Sequence, residues 1–195
     1  MHPVEFTRED ALLVIDMQVD FLPGGALGVP RGDEVLAPVN RLLRLFDELG
    51  LAVFASRDWH PENHCSFVAR SGPWPPHCVA GTPGAAFSSQ LALPAGAVVV
   101  SKADTADQDA YSAFNGTDLA AQLRARGVRR VVVCGLATDY CVLNTVIDAR
   151  ELGFDVLIVP DAMRAVDVAQ GDGERAIARM TGLGARAVSL DALPA

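Results

Sequence analysis

Short apolar runs alternate with helical patterns along most of the 195-residue chain. Residues 11–15 are all apolar and end at Asp16, as suits a strand covered on both faces of a sheet. After the turn-forming Pro23-Gly24-Gly25, the apolar positions Val35, Leu36, Val39, Leu42, Leu43, Phe46 and Leu49 recur at helical spacing, and Gly50 supplies a stop. Pro38 must fall near the first turn of that helix, because proline has no N–H to donate further along. Residues 51–56 and 97–101 read as the second and third strands. Thr117 reads as the N-cap of a helix over 118–126, closed by Gly127 and followed by a fourth strand over 128–134. A helix over 138–152, a strand over 154–159, a helix over 174–183 and a strand over 185–189 complete the series. Six strands separated mostly by helices predict an α/β fold with a doubly wound six-stranded parallel sheet, flanked by helices and spanning 1–195 as a single domain. In such a sheet, ligands bind at the carboxyl ends of the strands where the strand order reverses.

One segment breaks the rhythm. Residues 57–94 show little periodicity, yet they hold three of the four histidines, both tryptophans and two of the four cysteines. A long irregular segment inside a compact domain is functional or disordered, and this content argues for chemistry.

Composition narrows the function. The net charge of −8 argues against nucleic acid as a partner, since affinity for phosphates comes from clustered Lys and Arg. The longest apolar runs, such as 95–100, stop far short of the ~20 residues that span a membrane. The first ten residues lack a basic segment followed by an apolar stretch, so no secretory leader is read and a cytoplasmic address follows. Cys65, Cys78, Cys134 and Cys141 are too sparse for a disulfide framework and read as reduced thiols. Nothing in the pattern separates a monomer from a homodimer.

Several residues then stand out by position. Asp16 follows the first strand, where a partly desolvated carboxylate becomes a usable base, although a strand-ending Asp also commonly caps a turn. Lys102 follows the third strand in the same topological position; beside a buried carboxylate it would set its neighbours' protonation, and alone it would only be solvated. Cys141 lies between the fourth strand and a helix. In that helix's first turn, free N–H groups would lower its pKa and hold an oxyanion. Cys134, in mid-strand, reads as a small core residue, and Cys65 and Cys78 as incidental loop thiols. In Asp58-Trp59-His60, an oxygen and a nitrogen ligand share one side of an extended segment, and His77 can complete a three-ligand face open to water or substrate. Such a site takes a divalent metal ion, and zinc, iron and manganese suit these ligands alike. His64 reads as a partner that orients Asp58 or a bound water, with a place as fourth ligand the alternative. Phe21, Trp74 and Tyr111 lie near these residues in sequence and would wall a flat, apolar ligand, or serve as ordinary core.

Together Asp16-Met17-Gln18-Val19-Asp20-Phe21, Asp58-Trp59-His60-Pro61, Trp74-Pro75-Pro76-His77-Cys78-Val79-Ala80-Gly81-Thr82, Lys102, Tyr111-Ser112-Ala113-Phe114 and Gly135-Leu136-Ala137-Thr138-Asp139-Tyr140-Cys141 resemble the nicotinamidases (pyrazinamidases) of the isochorismatase-like hydrolases. The resemblance runs in order over nearly the whole chain, with one departure: Val19 stands where that pattern usually has Asn. It implies hydrolysis of a small-molecule amide, nicotinamide, to nicotinate and ammonia, with pyrazinamide as a further substrate. In that scheme Asp16 takes the proton of Cys141, the thiolate attacks the carboxamide, and the N–H groups of Ala137 and Cys141 hold the oxyanion. Lys102 stabilises the charges, Asp16 protonates ammonia, and a metal-bound water deprotonated by Asp16 resolves the thioester. The resemblance also implies a cis Leu136–Ala137 peptide. Metal-free relatives such as isochorismatases and N-carbamoyl amidases would not need Asp58, His60 and His77. A catalytically silent binding module would not need the set of Asp16, Lys102 and Cys141, and a chain of this size needs no structural metal.

Overall fold

The computed structural model describes residues 4–194. Met1, His2 and Pro3, part of the segment in which no leader was read, and Ala195, the end of the predicted domain, lie outside the described residues.

Six strands form one parallel sheet: β1 (Asp10–Ile15), β2 (Ala52–Asp58), β3 (Val98–Lys102), β4 (Arg130–Leu136), β5 (Asp155–Arg164) and β6 (Arg186–Ala187). Their spatial order is β3-β2-β1-β4-β5-β6, so the chain winds outward from β1, returns to β4 beside it, and winds outward again. The reversal falls between β1 and β4. Alternation along β1 explains how both faces are covered. Leu12 and Val14 pack with α1 (Leu36–Glu48), while Ala11, Leu13 and Ile15 pack with residues of α2 (Leu119–Ala125), α3 (Leu143–Glu151) and α4 (Asp172–Gly182). In α1 the residues Leu36, Val39, Leu42, Leu43 and Phe46 are buried, and Pro38 lies in the first turn as expected.

Four expectations are corrected. The second strand runs two residues further, to Asp58, because β3 pairs with it through Asp58↔Lys102. The fifth strand does not stop before Pro160. The ladder with β4 shifts register after Val133↔Ile158 and resumes at Gly135↔Met163, and this irregular stretch accommodates the missing N–H of Pro160. The sixth strand is reduced to two exposed residues that pair only with Leu157 and Ile158. Finally, α2 begins after Asp118 rather than Thr117; the Thr117 hydroxyl accepts from the Leu119 N–H at 3.3 Å and donates to the Ala113 carbonyl at 2.7 Å.

The irregular segment after β2 folds back on itself through two short 3-10 turns, Val68–Arg70 and Pro83–Ala85. His60 N–H donates to Cys78 O and Ala80 N–H to His60 O, a strand-like exchange that brings His77 beside His60. Among the described residues no helix is long and apolar enough to cross a membrane.

Candidate active site

The site lies at the strand reversal. β1 leads directly into Asp16, whose backbone is left-handed (φ +47°) and whose N–H donates to Ser56 O at 3.2 Å. Gly135 at the end of β4 is required here, because a Cβ would lie 2.2 Å from Ile15 O. Beyond it the Leu136–Ala137 peptide is cis, as the resemblance implies. Residues Thr138–Val142 then form a π-helical turn before α3. Cys141 therefore sits in a widened turn of the kind often found at functional sites, and not in the first turn of an α-helix as the sequence suggested.

Lys102 is the hub. Its ammonium lies 3.0 Å from Asp16 Oδ2 and 3.6 Å from Cys141 Sγ, contacts Asp58 Oδ1, and donates to Ala110 O at 3.2 Å. Asp16 Oδ1 accepts from Ser56 Oγ at 2.7 Å, whereas no hydrogen-bond donor is aligned on Oδ2, which is left to the ion pair. Burial pushes the Asp16 carboxyl above its usual range, with Lys102 pulling down against it and Asp58 adding to the push. For Asp58 burial acts in the same upward direction, but Lys102 and His60 beside it prevail and hold it low. Burial also opposes the charge of Lys102, and the two carboxylates outweigh it and keep the amine protonated. The Cys141 thiol is raised: burial dominates and Lys102 offsets only part of it. This corrects the expectation of a thiol pKa lowered by a helix terminus, since a shut-off thiol loses more hydration than those N–H groups return.

Asp58, His60 and His77 offer ligand atoms that all lie within 4.8 Å of one another, each from a buried side chain. The imidazoles are fixed by their far nitrogens: His60 Nδ1 lies 3.0 Å from Ala103 O, and His77 Nδ1 lies 2.8 Å from Pro75 O. A ring nitrogen facing a carbonyl carries the proton, so each Nε2 is left with its lone pair free. His60 Nε2 is buried without a hydrogen-bond partner, 3.5 Å from Asp58 Oδ2. Burial holds His77 below the ordinary imidazole range, in its neutral form. The buried charges point the same way, because Asp16 and Asp58 share the single cation Lys102. An orphaned lone pair and an excess carboxylate fit a divalent cation. Asp16, Asp58 and Cys141 also converge, but the Lys102 ammonium already serves that space.

His64 stands outside the ligand set. Its Nδ1 accepts from Ser66 Oγ at 2.7 Å and its Nε2 donates to Gln108 O at 3.1 Å, so both nitrogens are used. Its ring stacks on His60 at 4.2 Å, and it thus supports His60 rather than Asp58 or a water.

A cleft of about 600 Å³, its open mouth included, leads down to these groups. Phe21, Trp74, Tyr111, Ala137 and Cys141 line it together with Asp58, His60 and His77, and Asp16 and Lys102 lie beneath. Phe21 packs 5.6 Å from the His77 ring, and Trp74 Nε1 donates to Tyr111 Oη at 3.0 Å. The sequence had assigned no role to Tyr140, whose ring meets Trp74 edge-on at 5.4 Å, or to Ser56, Gln18 and Asp20. Gln18, Asp20 and Tyr140 lie inside the motifs quoted above, whereas Ser56 carried no signal beyond its strand. Val19 is exposed and outside the cleft lining, and its N–H bonds Ala86 O.

Comparison with known proteins places this geometry. The isochorismatase domain model matches residues 10–192. The nicotinamidase of Escherichia coli strain K12 is 40% identical over 201 residues, covering 92% of this chain and 94% of that protein. The pyrazinamidase of Pyrococcus horikoshii, solved in complex with zinc, is 51% identical with a TM-score of 0.90, covering 93% of this chain and 99% of that one. An L. infantum protein solved in complex with nicotinate is 39% identical with a TM-score of 0.88 and 98% coverage of both chains. With a lysine joining two carboxylates and a thiol at the strand reversal, and a domain match over nearly its full length, the chain belongs to the isochorismatase family.

Proposed function

We propose that this chain is a metal-dependent cysteine amidase that hydrolyses nicotinamide, and pyrazinamide as well, to the acid and ammonia through a thioester. The observation that carries this reading is that Asp58, His60 and His77 converge in the same cleft that Cys141 lines. Relatives without the metal would have no use for that set. The named relatives, a nicotinamidase and a zinc-bound pyrazinamidase among them, support it.

The roles follow from the geometry. Asp16 Oδ2, free of other donors, takes the proton of Cys141 when the amide arrives, and a raised carboxyl pKa narrows its gap to the thiol. The thiolate forms beside the Lys102 ammonium and attacks the carboxamide carbon, making the C–S bond while the oxygen develops negative charge. The backbone N–H groups of Ala137 and Cys141 are assigned to that oxygen. Asp16 returns the proton to the leaving nitrogen, the C–N bond breaks, and ammonia departs. Asp16 then accepts a proton from the water that attacks the thioester carbon; as the acid forms, the C–S bond breaks and the proton returns to the Cys141 sulfur. Phe21, Trp74 and Tyr111 hold the ring. Asp58, His60 and His77 hold the divalent ion, with zinc the first choice; when bound, it supplies Lewis acidity and a lower pKa for water.

The reading extends beyond the site. Residues 1–195 act as one hydrolase domain, supported by the single sheet and the match over 10–192. A net charge of −8 disfavours nucleic acid as a partner, and four unpaired cysteines accord with a cytoplasmic address. The test is ammonia release from nicotinamide by purified protein before and after chelation, with zinc added back. Release that ignores the chelator would shift the reading to a metal-free amidase of the same family.

A further inference from the structure

Asp58 and His77 come from different segments, and a side chain of the short turn after β1 (Val19–Phe21 with Gln18 before it) anchors each. Gln18 is wholly buried. Its Nε2 donates to Asp58 O at 2.8 Å and to Ala85 O at 2.9 Å, while its Oε1 accepts from the Asp58 N–H at 2.7 Å. One amide thus holds both backbone polar groups of Asp58. Asp20 Oδ2 accepts from the N–H of Cys78, next to His77, at 2.7 Å, and its Oδ1 accepts from Ala26 N–H at 3.2 Å. Cys78 O in turn accepts from His60 N–H at 3.0 Å, which extends the anchor to the remaining ligand. Gly84 makes room for this contact, since a Cβ there would lie 2.2 Å from Asp20 Oδ2. Neither Gln18 nor Asp20 belongs to the convergent ligand set or to the cleft lining.

We propose that Gln18 and Asp20 are positioning residues that set how tightly Asp58, His60 and His77 hold a divalent cation. The inference rests on the metal-dependent reading above. Three ligands bind a cation strongly when they converge before it arrives, because otherwise binding must also bear the entropy of ordering the chain. The segment bearing His60 and His77 has little regular structure, so side-chain bonds to its backbone must do that ordering.

The experiment is competition for zinc between the metal-stripped protein and a chromophoric chelator, with circular dichroism and thermal melting of the same samples. Gln18→Met keeps the volume and removes all three bonds; Asp20→Ala removes its two; Asp20→Asn keeps an oxygen for the Cys78 N–H. Asp10→Asn serves as a control, because Asp10 pairs with Arg130 at the opposite end of β1. Gln18→Met and Asp20→Ala are expected to weaken zinc binding by about 10- to 100-fold, with Asp20→Asn within about threefold of the parent. Asp10→Asn should lower the melting temperature and leave zinc affinity unchanged. Zinc affinity of Asp20→Ala within about twofold of the parent would overturn the proposal. So would an equal loss in Asp10→Asn, which would mean general loosening. Should Gln18→Met fail to fold, the two Asp20 variants decide. A parent protein that binds no zinc is a separate failure, of the metal-dependent reading itself.

Discussion

The ammonium of Lys102 stands 3.0 Å from Oδ2 of Asp16, and neither side chain is exposed to solvent. The same ammonium also meets Asp58, so removing it would leave two buried carboxylates without a counter-charge. Lys102→Met, which keeps most of the volume, is therefore expected to destabilise the metal-free protein by about 3–5 kcal/mol. Urea unfolding of parent and variant, both stripped of metal, measures it. A loss below about 1 kcal/mol would mean that the carboxylates are not both charged.

Cys141→Ala is expected to lower amide turnover by at least about a thousandfold while leaving the fold and zinc content intact, because the thiol is assigned as nucleophile and not as ligand. Turnover and bound zinc are measured on one preparation. Appreciable turnover without the thiol would mean that water attacks the amide directly.

The pH dependence of Cys141 follows from its burial. Its pKa is raised, so in metal-free protein the thiol keeps its proton at pH 7 and its reaction with iodoacetamide should still be climbing with pH beyond the ordinary thiol value of about 8.5. Zinc loading brings positive charge near the thiol, lowers its pKa and should speed alkylation at pH 7. A Cys65→Ser background removes the half-buried thiol that would otherwise report alongside it, since Cys78 and Cys134 are buried away from the cleft that Cys141 lines. A rate that levels off below pH 7 without metal would contradict the assigned direction.

Selectivity tests the placement of the ligand set. Benzamide matches nicotinamide in shape but lacks the ring nitrogen, so it forfeits any partner that the Asp58, His60 and His77 site offers that nitrogen. The ratio of kcat/KM for nicotinamide over benzamide is expected to reach at least about a hundredfold, or roughly 2.7 kcal/mol. His77→Ala should shrink it. Equal rates on both amides by zinc-loaded protein would move the assignment to a metal-independent amidase.

Much of this was legible in the chain itself. The run 11–15 and the helical spacing from Val35 to Leu49 marked β1 and α1, because apolar periodicity is a local property that burial on a sheet merely uses. The density of His, Trp and Cys in 57–94 marked the segment that holds the histidines of the site. The fifth strand is the opposite case. The apolar run gives its end at residue 159, but a register shift against β4, invisible in the sequence of β5 alone, carries the strand through Pro160 to Arg164.

What the sequence determined by itself was the set of parts: the strand ends carrying Asp16 and Lys102, the turn carrying Cys141, and the Asp58, His60 and His77 donors. Tertiary structure decided how they face one another. Register placed Asp58 beside Lys102, and the strand reversal put Asp16 next to the Cys141 turn. The fold-back of the irregular segment left His64 stacked on His60 instead of facing the ligand set. Burial then reversed the expected direction of the Cys141 pKa, because a thiol's hydration depends on everything packed around it, and residues distant in sequence supply most of that surrounding.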